Sequence, residues 1–186
     1  MLTATRASMR GWRTRCAPVL GFTLVEMMVA LGVSAILVAI AAPAMRSFIE
    51  NARIRAASES MQNGLSMARN EAVRLNQRVE FVSQATGWVV RLPGAANPLQ
   101  EASGSEGRTG LTLRFTPAAA DRITFDSFGR TTANANGSAT LRQVDIVSTH
   151  PPSSGIYRPL RIQIQATGAS RLCNPAVAAP NPAVCL

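Results

Sequence analysis

Residues 22–45 form a run of 24 positions in which Glu26 carries the only charge, and this run constrains everything else in the chain. A helix of about 20 residues, rising roughly 1.5 Å at each, covers the hydrocarbon core of a bilayer. The run is therefore long enough to span a membrane as one helix. Glu26 is costly in such a place: a carboxylate at mid-membrane is unfavourable by about 2.5–3.5 kcal/mol, and by less near the interface. A plain signal anchor would let that glutamate snorkel to the interface. An ordinary secretory signal is another reading, because Ala39-Ile40-Ala41 offers small residues for cleavage. Its apolar part would then exceed the usual length of about 7–15 residues and would contain an acid.

Ahead of the run, Arg6, Arg10, Arg13 and Arg15 stand without any acid, which favours the cytoplasmic side for residues 1–21. Arg46, Arg53 and Arg55 follow the span closely, so the arginine count alone leaves the orientation nearly balanced. A basic leader, Gly21, then Phe22-Thr23-Leu24-Val25-Glu26 and an apolar helix resembles the processing site of type IV pilins and type II secretion pseudopilins. The resemblance implies cleavage between Gly21 and Phe22 by a prepilin peptidase, with methylation of the new amine of Phe22. It also implies that Glu26 is the assembly glutamate, its carboxylate pairing with the N-terminal amine of a neighbouring subunit. The implied protein is a single-pass inner-membrane subunit with a periplasmic C-terminal domain, and its partners are other pilins or pseudopilins.

Charge and cysteine usage agree with that organisation. Every one of the 19 basic residues is arginine, which reads as genomic base composition rather than chemistry. Without residues 1–21 the chain keeps 15 arginines against 10 acids, so the net charge falls from +9 to +5. Such an excess favours acidic partners only mildly. Cys16 lies in the leader, leaving Cys173 and Cys185 as an even pair, as expected in an oxidising compartment. A metal site is the alternative for two cysteines, but no second pair or nearby histidine supplies further ligands.

Within residues 22–45, Ala30, Gly32, Ser34 and Ala35 are small enough for close helix–helix approach. Pro43 lacks an amide hydrogen and is expected to kink or open the helix; in the pilin family a proline at the matching place marks a flexible joint. Beyond it, Met61, Leu65, Ala68, Ala72, Leu75 and Val79 recur at helical spacing, while Arg69, Glu71, Arg74 and Gln77 fall on other faces and should be solvated. The expectation is one long helix, roughly 85 Å from Phe22 to Val79, with a membrane half (22–45) and an amphipathic half (46–79). Leu65-Ser66-Met67-Ala68-Arg69-Asn70-Glu71-Ala72-Val73-Arg74 also resembles a stretch of the H-type pseudopilins and FimT-like minor pilins.

After Val79 the apolar period shortens to that of strands. Candidates are residues 78–82, 87–92, 111–115, 122–125, 139–147 and 159–166, within a β domain spanning 80–172. Residues 93–110 read as a long loop, 128–137 as a turn region and 150–155 as another. Residues 173–186, rich in proline, read as an irregular loop clipped by a Cys173–Cys185 bridge. The fold class is thus α+β and pilin-like: a long N-terminal helix packed on antiparallel sheet.

The sequence points away from an enzyme. His150 stands alone in a proline-rich turn, and no paired carboxylates, nucleophile elbow, phosphate-binding glycine loop or acid-rich calcium loop is present. No cofactor or metal is implied. DNA is a second partner to weigh, because FimT-like minor pilins carry a Gly-Arg-x-Arg motif that contacts it. Here the matching place reads Gly168-Ala169-Ser170-Arg171, with Ala169 in place of the first arginine. Arg158 and Arg161 could add charge. Two roles follow from the resemblance: a structural subunit of a secretion pseudopilus or type IV pilus, at its tip or in initiation, or a DNA-binding minor pilin for DNA uptake. Intact-mass analysis of the membrane-inserted protein should give a chain starting at Phe22 and carrying one added methyl group. A chain starting at Ala42 would instead identify an ordinary secretory signal.

Overall fold

The computed structural model describes residues 21–103, 109–151 and 157–185. The expected leader, apart from Gly21, and most of the turn after His150 lie outside the described residues. The chain divides into two compact units, Met1–Ile40 and Ala41–Leu186. In the first, the described residues are Gly21 to Thr23 and the opening of helix α1 (Leu24–Leu75). Leu24, Leu31, Ile36, Leu37 and Ile40 are all exposed, so this part of the helix is apolar on every side, as a helix facing lipid is. The Ser34 hydroxyl donates to the Ala30 carbonyl at 2.7 Å, which satisfies a polar group inside the apolar run. By length and composition α1 can cross a membrane.

Among the described residues, the second unit combines the rest of α1 with nine strands in two antiparallel sheets. The first sheet contains β1 (Val79–Gln84), β2 (Gly87–Arg91), β3 (Gln100–Ser103), β5 (Arg122–Phe125) and β6 (Thr131–Thr132), in the order β3-β2-β1-β5-β6. The second contains β4 (Leu111–Thr116), β7 (Gln143–Ser148), β8 (Leu160–Ile164) and β9 (Ser170–Cys173), in the order β4-β7-β8-β9. Period-2 patterning sets the faces of the second sheet. Val144, Ile146, Ile162 and Ile164 point inward and are buried, whereas Asp145, Arg161 and Gln163 share the outer face.

Helix α1 supplies the other side of the core. Ile54, Ala57, Met61, Leu65, Ala68 and Ala72 are buried along one stripe and meet Phe81, Val90, Ile123, Phe125, Leu141 and Ile146. Gly64 sits on that stripe for a steric reason. A Cβ there would lie 2.6 Å from the Trp88 ring and 2.8 Å from Phe81. Glycine costs a helix interior about 1 kcal/mol relative to alanine, and here it lets two large aromatic rings seat directly against the helix backbone. The rings of Phe81 and Trp88 are 6.1 Å apart, and the Trp88 indole N–H donates to the Ser60 hydroxyl, giving its polar edge a partner.

Several elements differ from the sequence expectations. The helix ends at Leu75 rather than continuing to Val79, because Asn76 takes a left-handed φ of 52°. The Gln77 amide then donates to the Ala72 carbonyl and the Asn76 amide to that of Val73, a pairing that terminates helices. Val79 is buried as expected, but as the first residue of β1. Residues 93–110 are not one loop: β3 lies within them and pairs with β2, Trp88 opposite Ala102. The turn region 128–137 contains the short β6, and β9 was not anticipated at all. The strand expected over 139–147 begins at Gln143, after Leu141 has turned into the core. Leu75 is only half-buried. Among the helix residues expected to be solvated, Glu71 is half-buried and pairs with Arg74 at 2.6 Å.

Overpacking a tight contact costs about 1–3 kcal/mol, which outweighs the helix preference of alanine. Gly64→Ala should therefore lower stability by about 1–2 kcal/mol, and Gly64→Leu by more. The check is the urea midpoint of the detergent-solubilised chain, expected to fall with an unchanged m-value.

Candidate functional site

The N-terminal site is built from one turn of chain. Gly21, Phe22 and Thr23 precede the helix, and the Thr23 hydroxyl accepts the Glu26 amide hydrogen at 3.1 Å. Thr23-Leu24-Val25-Glu26 thus has the spacing of a capping box, in which a side-chain oxygen satisfies an amide the helix leaves free. Glu26 lies in the first turn, where the positive end of the helix dipole favours a carboxylate. Phe22 and Glu26 are both exposed. A cationic amine arriving at this turn would therefore meet an accessible carboxylate on a helix that is otherwise apolar through Met45.

Further along, α1 runs unbroken through Pro43. At the other end of the chain Cys173 and Cys185 are bonded, with Cα atoms 5.1 Å apart. The Asn174 amide donates to the Ala183 carbonyl and Arg171 donates to that of Pro182, so the closing loop is also held to its own neck. Closing a loop of this size contributes about 3 kcal/mol on the chain-entropy view.

The three arginines considered for DNA do not form one free cationic set. Arg161 is opposite Asp145 across β7 and β8 and forms a two-pronged ion pair with it, the second contact at 3.1 Å. Arg158 is exposed, its backbone amide tied to Asn51 on α1. Arg171 stands on the outer face of β9, opposite Gln163. The motif glycine has a structural role of its own. Gly168 takes φ +82° in the β8–β9 turn, and a Cβ there would fall 1.8 Å from the Gly129 carbonyl oxygen. His150 approaches only the Thr149 hydroxyl, at 3.0 Å, among the contacts of its ring. Among the described residues, no cluster of His, Cys, Asp or Glu could hold a metal ion.

Two features escaped sequence reasoning. Glu80 is buried in β1 and accepts from Arg91 at 2.6 Å, with Arg122 at 3.8 Å. Arg122 also holds Asp121, and this hydrogen bond raises its pKa above the ordinary arginine value, against partial burial and with help from the charges of Asp121 and Glu80. The break in alternation at Val82, which shares the face of Glu80, could have flagged Glu80, since β1 is buried on both faces. The second is a groove of about 910 Å³ lined by Ala44, Phe48, Ala52, Leu160 and Ala183, with Arg55 and Arg158 at its walls. Its helix residues recur at three- and four-residue spacing, which is visible in the sequence, but the facing wall comes from β8 and the C-terminal loop.

A long helix on antiparallel sheets is the fold of the pilin-like proteins. The type IV minor pilin FimU of Pseudomonas aeruginosa has the same fold: it is 18% identical, with 72% of this chain and 97% of that chain covered and a TM-score of 0.52. The minor pseudopilin EpsH from the type 2 secretion system of Vibrio cholerae is also similar, at 17% identity, 67% and 99% coverage and a TM-score of 0.46. No curated protein sequence matches the chain significantly. Residues 19–42 match the prokaryotic N-terminal methylation motif. Residues 57–168, more than half the chain, match the family described as Type II transport protein GspH. The chain belongs to that family and is a minor pseudopilin or pilin.

The close approach to Gly129 makes Gly168 a glycine required by packing. Gly168→Ala should destabilise the chain by at least about 2 kcal/mol, from the left-handed backbone and the clash together. Arg171→Ala, on an exposed side chain, should stay within about 0.5–1 kcal/mol of wild type. Chemical denaturation of the two variants separates a structural glycine from a surface arginine.

Proposed function

We propose that the protein is a structural, non-catalytic subunit that enters a type II secretion pseudopilus or a type IV pilus at its tip or during initiation. A prepilin peptidase removes residues 1–21 and methylates Phe22. The span over 22–45 holds the processed chain in the inner membrane, with the unit beyond it in the periplasm. During assembly the Glu26 carboxylate pairs with the N-terminal amine of a neighbouring subunit, and Pro43 serves as the joint where the helix yields. The observation that carries this reading is the Thr23–Glu26 turn. It exposes one carboxylate in a run where a charge is unfavourable, and a buried ion pair with an amine offsets that cost. The family match over residues 57–168 supports the same assignment.

DNA uptake is not favoured by any specific observation. Arg161 is neutralised by Asp145, and Ala169 stands where a second motif arginine would be needed.

Glu26→Val should leave cleavage intact, because Gly21 is unchanged, and should retain the chain in the membrane. Its recovery in sheared filaments should drop at least tenfold relative to wild type, read by immunoblot. Wild-type recovery of the variant would overturn the role given to Glu26.

A further inference from the structure

Among the described residues, the most exposed large apolar side chain is neither on the membrane run nor in the groove. It is Phe128, 80% exposed, in the turn between β5 and β6. The turn beneath it is tightly built. Asp126 Oδ1 accepts the amides of Phe128 and Arg130 at 2.9 and 2.8 Å. The Gly129 amide donates to the Asp126 carbonyl, and the Asp126 amide to that of Arg130, each at 2.9 Å. Gly129 is wedged as well: Arg69 donates to its carbonyl at 3.1 Å, and Gly168 packs against the same oxygen. The ring is thus held out on a preorganised backbone. Beside it, Val73 of α1 is half exposed, its methyl 3.3 Å from where a Gly129 Cβ would stand. Arg69 reaches this spot from α1 and exposed Arg130 follows Gly129 in the turn; neither has an acidic partner among the described residues.

A rigid exposed aromatic beside arginines that lack an acidic partner has the composition of an interface anchor. We propose that Phe128, with Val73, docks into an apolar pocket rimmed by acidic residues on a different subunit of the same filament, an inference that rests on the assembly role above. Three other occupants fit less well. The bilayer is remote along α1, since Val73 lies 28 residues beyond Met45, the end of the apolar run, roughly 42 Å of helix. A second copy is opposed by charge at one wall of the apolar groove that could receive the ring: Arg158 has no acidic partner among the described residues and would face Arg69 and Arg130, while Arg55 is paired with Glu59. Single-stranded nucleic acid needs successive stacking platforms along a basic groove, whereas Phe128 is a lone ring on a turn.

The test places a benzophenone amino acid at position 128 in cells assembling the complete filament and maps the photo-adduct by peptide mass spectrometry. The expected adduct is to a pilin-type subunit of different sequence, at a segment with Asp or Glu beside apolar residues. Arg130→Glu should reduce its yield at least tenfold. An adduct to a second copy, to lipid or to nucleic acid, or no adduct, would overturn the proposal. Phe128→Ser should keep the melting temperature, because the ring is exposed, and lose filament recovery at least tenfold; Phe128→Trp should restore it. Wild-type recovery of Phe128→Ser defeats the anchor alone. A wild-type chain absent from filaments defeats the assembly reading beneath it.

Discussion

The contact on which the rest of the unit Ala41–Leu186 depends is the close seating of Phe81 and Trp88 against α1 at Gly64. Neither sheet is large, and each is exposed to water on part of its surface, so a core made by the strands alone would be thin. The helix stripe from Ile54 to Ala72 closes it. Its small members, Ala57, Gly64, Ala68 and Ala72, set how near the helix comes, and its large ones, Met61 and Leu65, fill what remains. One element thereby does two jobs. The same helix that is apolar on all sides before Ile40 packs one stripe against the sheets from Ile54 onward.

The two sheets meet at their turns as well as through the core. The Thr131 amide and hydroxyl both donate to the Ala166 carbonyl, which links the β5–β6 turn to the β8–β9 turn. Gly129 and Gly168 abut at that junction, and Arg69 reaches across from α1 to the Gly129 carbonyl. Both glycines have positive φ, so each turn is shaped for the other. Arg69 was expected to be merely solvated. It remains exposed, yet its guanidinium fastens helix and turn together, a role that a helical-wheel argument has no means to detect because the acceptor is a backbone carbonyl 60 residues away.

What was legible in the sequence was whatever depends on period and on local chemistry. The span, the stripe of Met61, Leu65, Ala68 and Ala72, and the inward faces of β7 and β8 all follow from spacing that neighbouring residues share. What was not legible depends on partners distant in the chain. β3 (Gln-Glu-Ala-Ser) and β9 (Ser-Arg-Leu-Cys) lack the β-branched alternation of a strand and exist because β2 and β8 offer them an edge. The end of α1 was placed four residues late for a different reason. Val79 keeps the helical spacing by coincidence, and the stop signal is Asn76 in the left-handed region, where glycine is the commoner residue. In the candidate site, the motif from Gly21 to Glu26 could be read directly, while the pairing of Arg161 with Asp145 required the register of β7 on β8.

That pairing bears on what kind of surface the unit presents. The acids near the sheets are largely committed: Glu80 to Arg91 and Arg122, Asp121 to Arg122, Asp145 to Arg161, and Asp126 to its own turn. Pairs of this sort, partly withdrawn from water, help fix register and contribute little net attraction to a passing molecule. The arginines left over lie outward, among them Arg69, Arg130, Arg158 and Arg171. These pairs withdraw arginines (Arg91, Arg122 and Arg161) as well as acids, so the outer surface keeps the modest positive sign of the net charge. Electrostatic complementarity governs which partners are accepted and how fast they arrive more than how tightly they stay. An excess of this size favours acidic neighbours only mildly, so on electrostatic grounds alone the surface would steer an encounter rather than hold it.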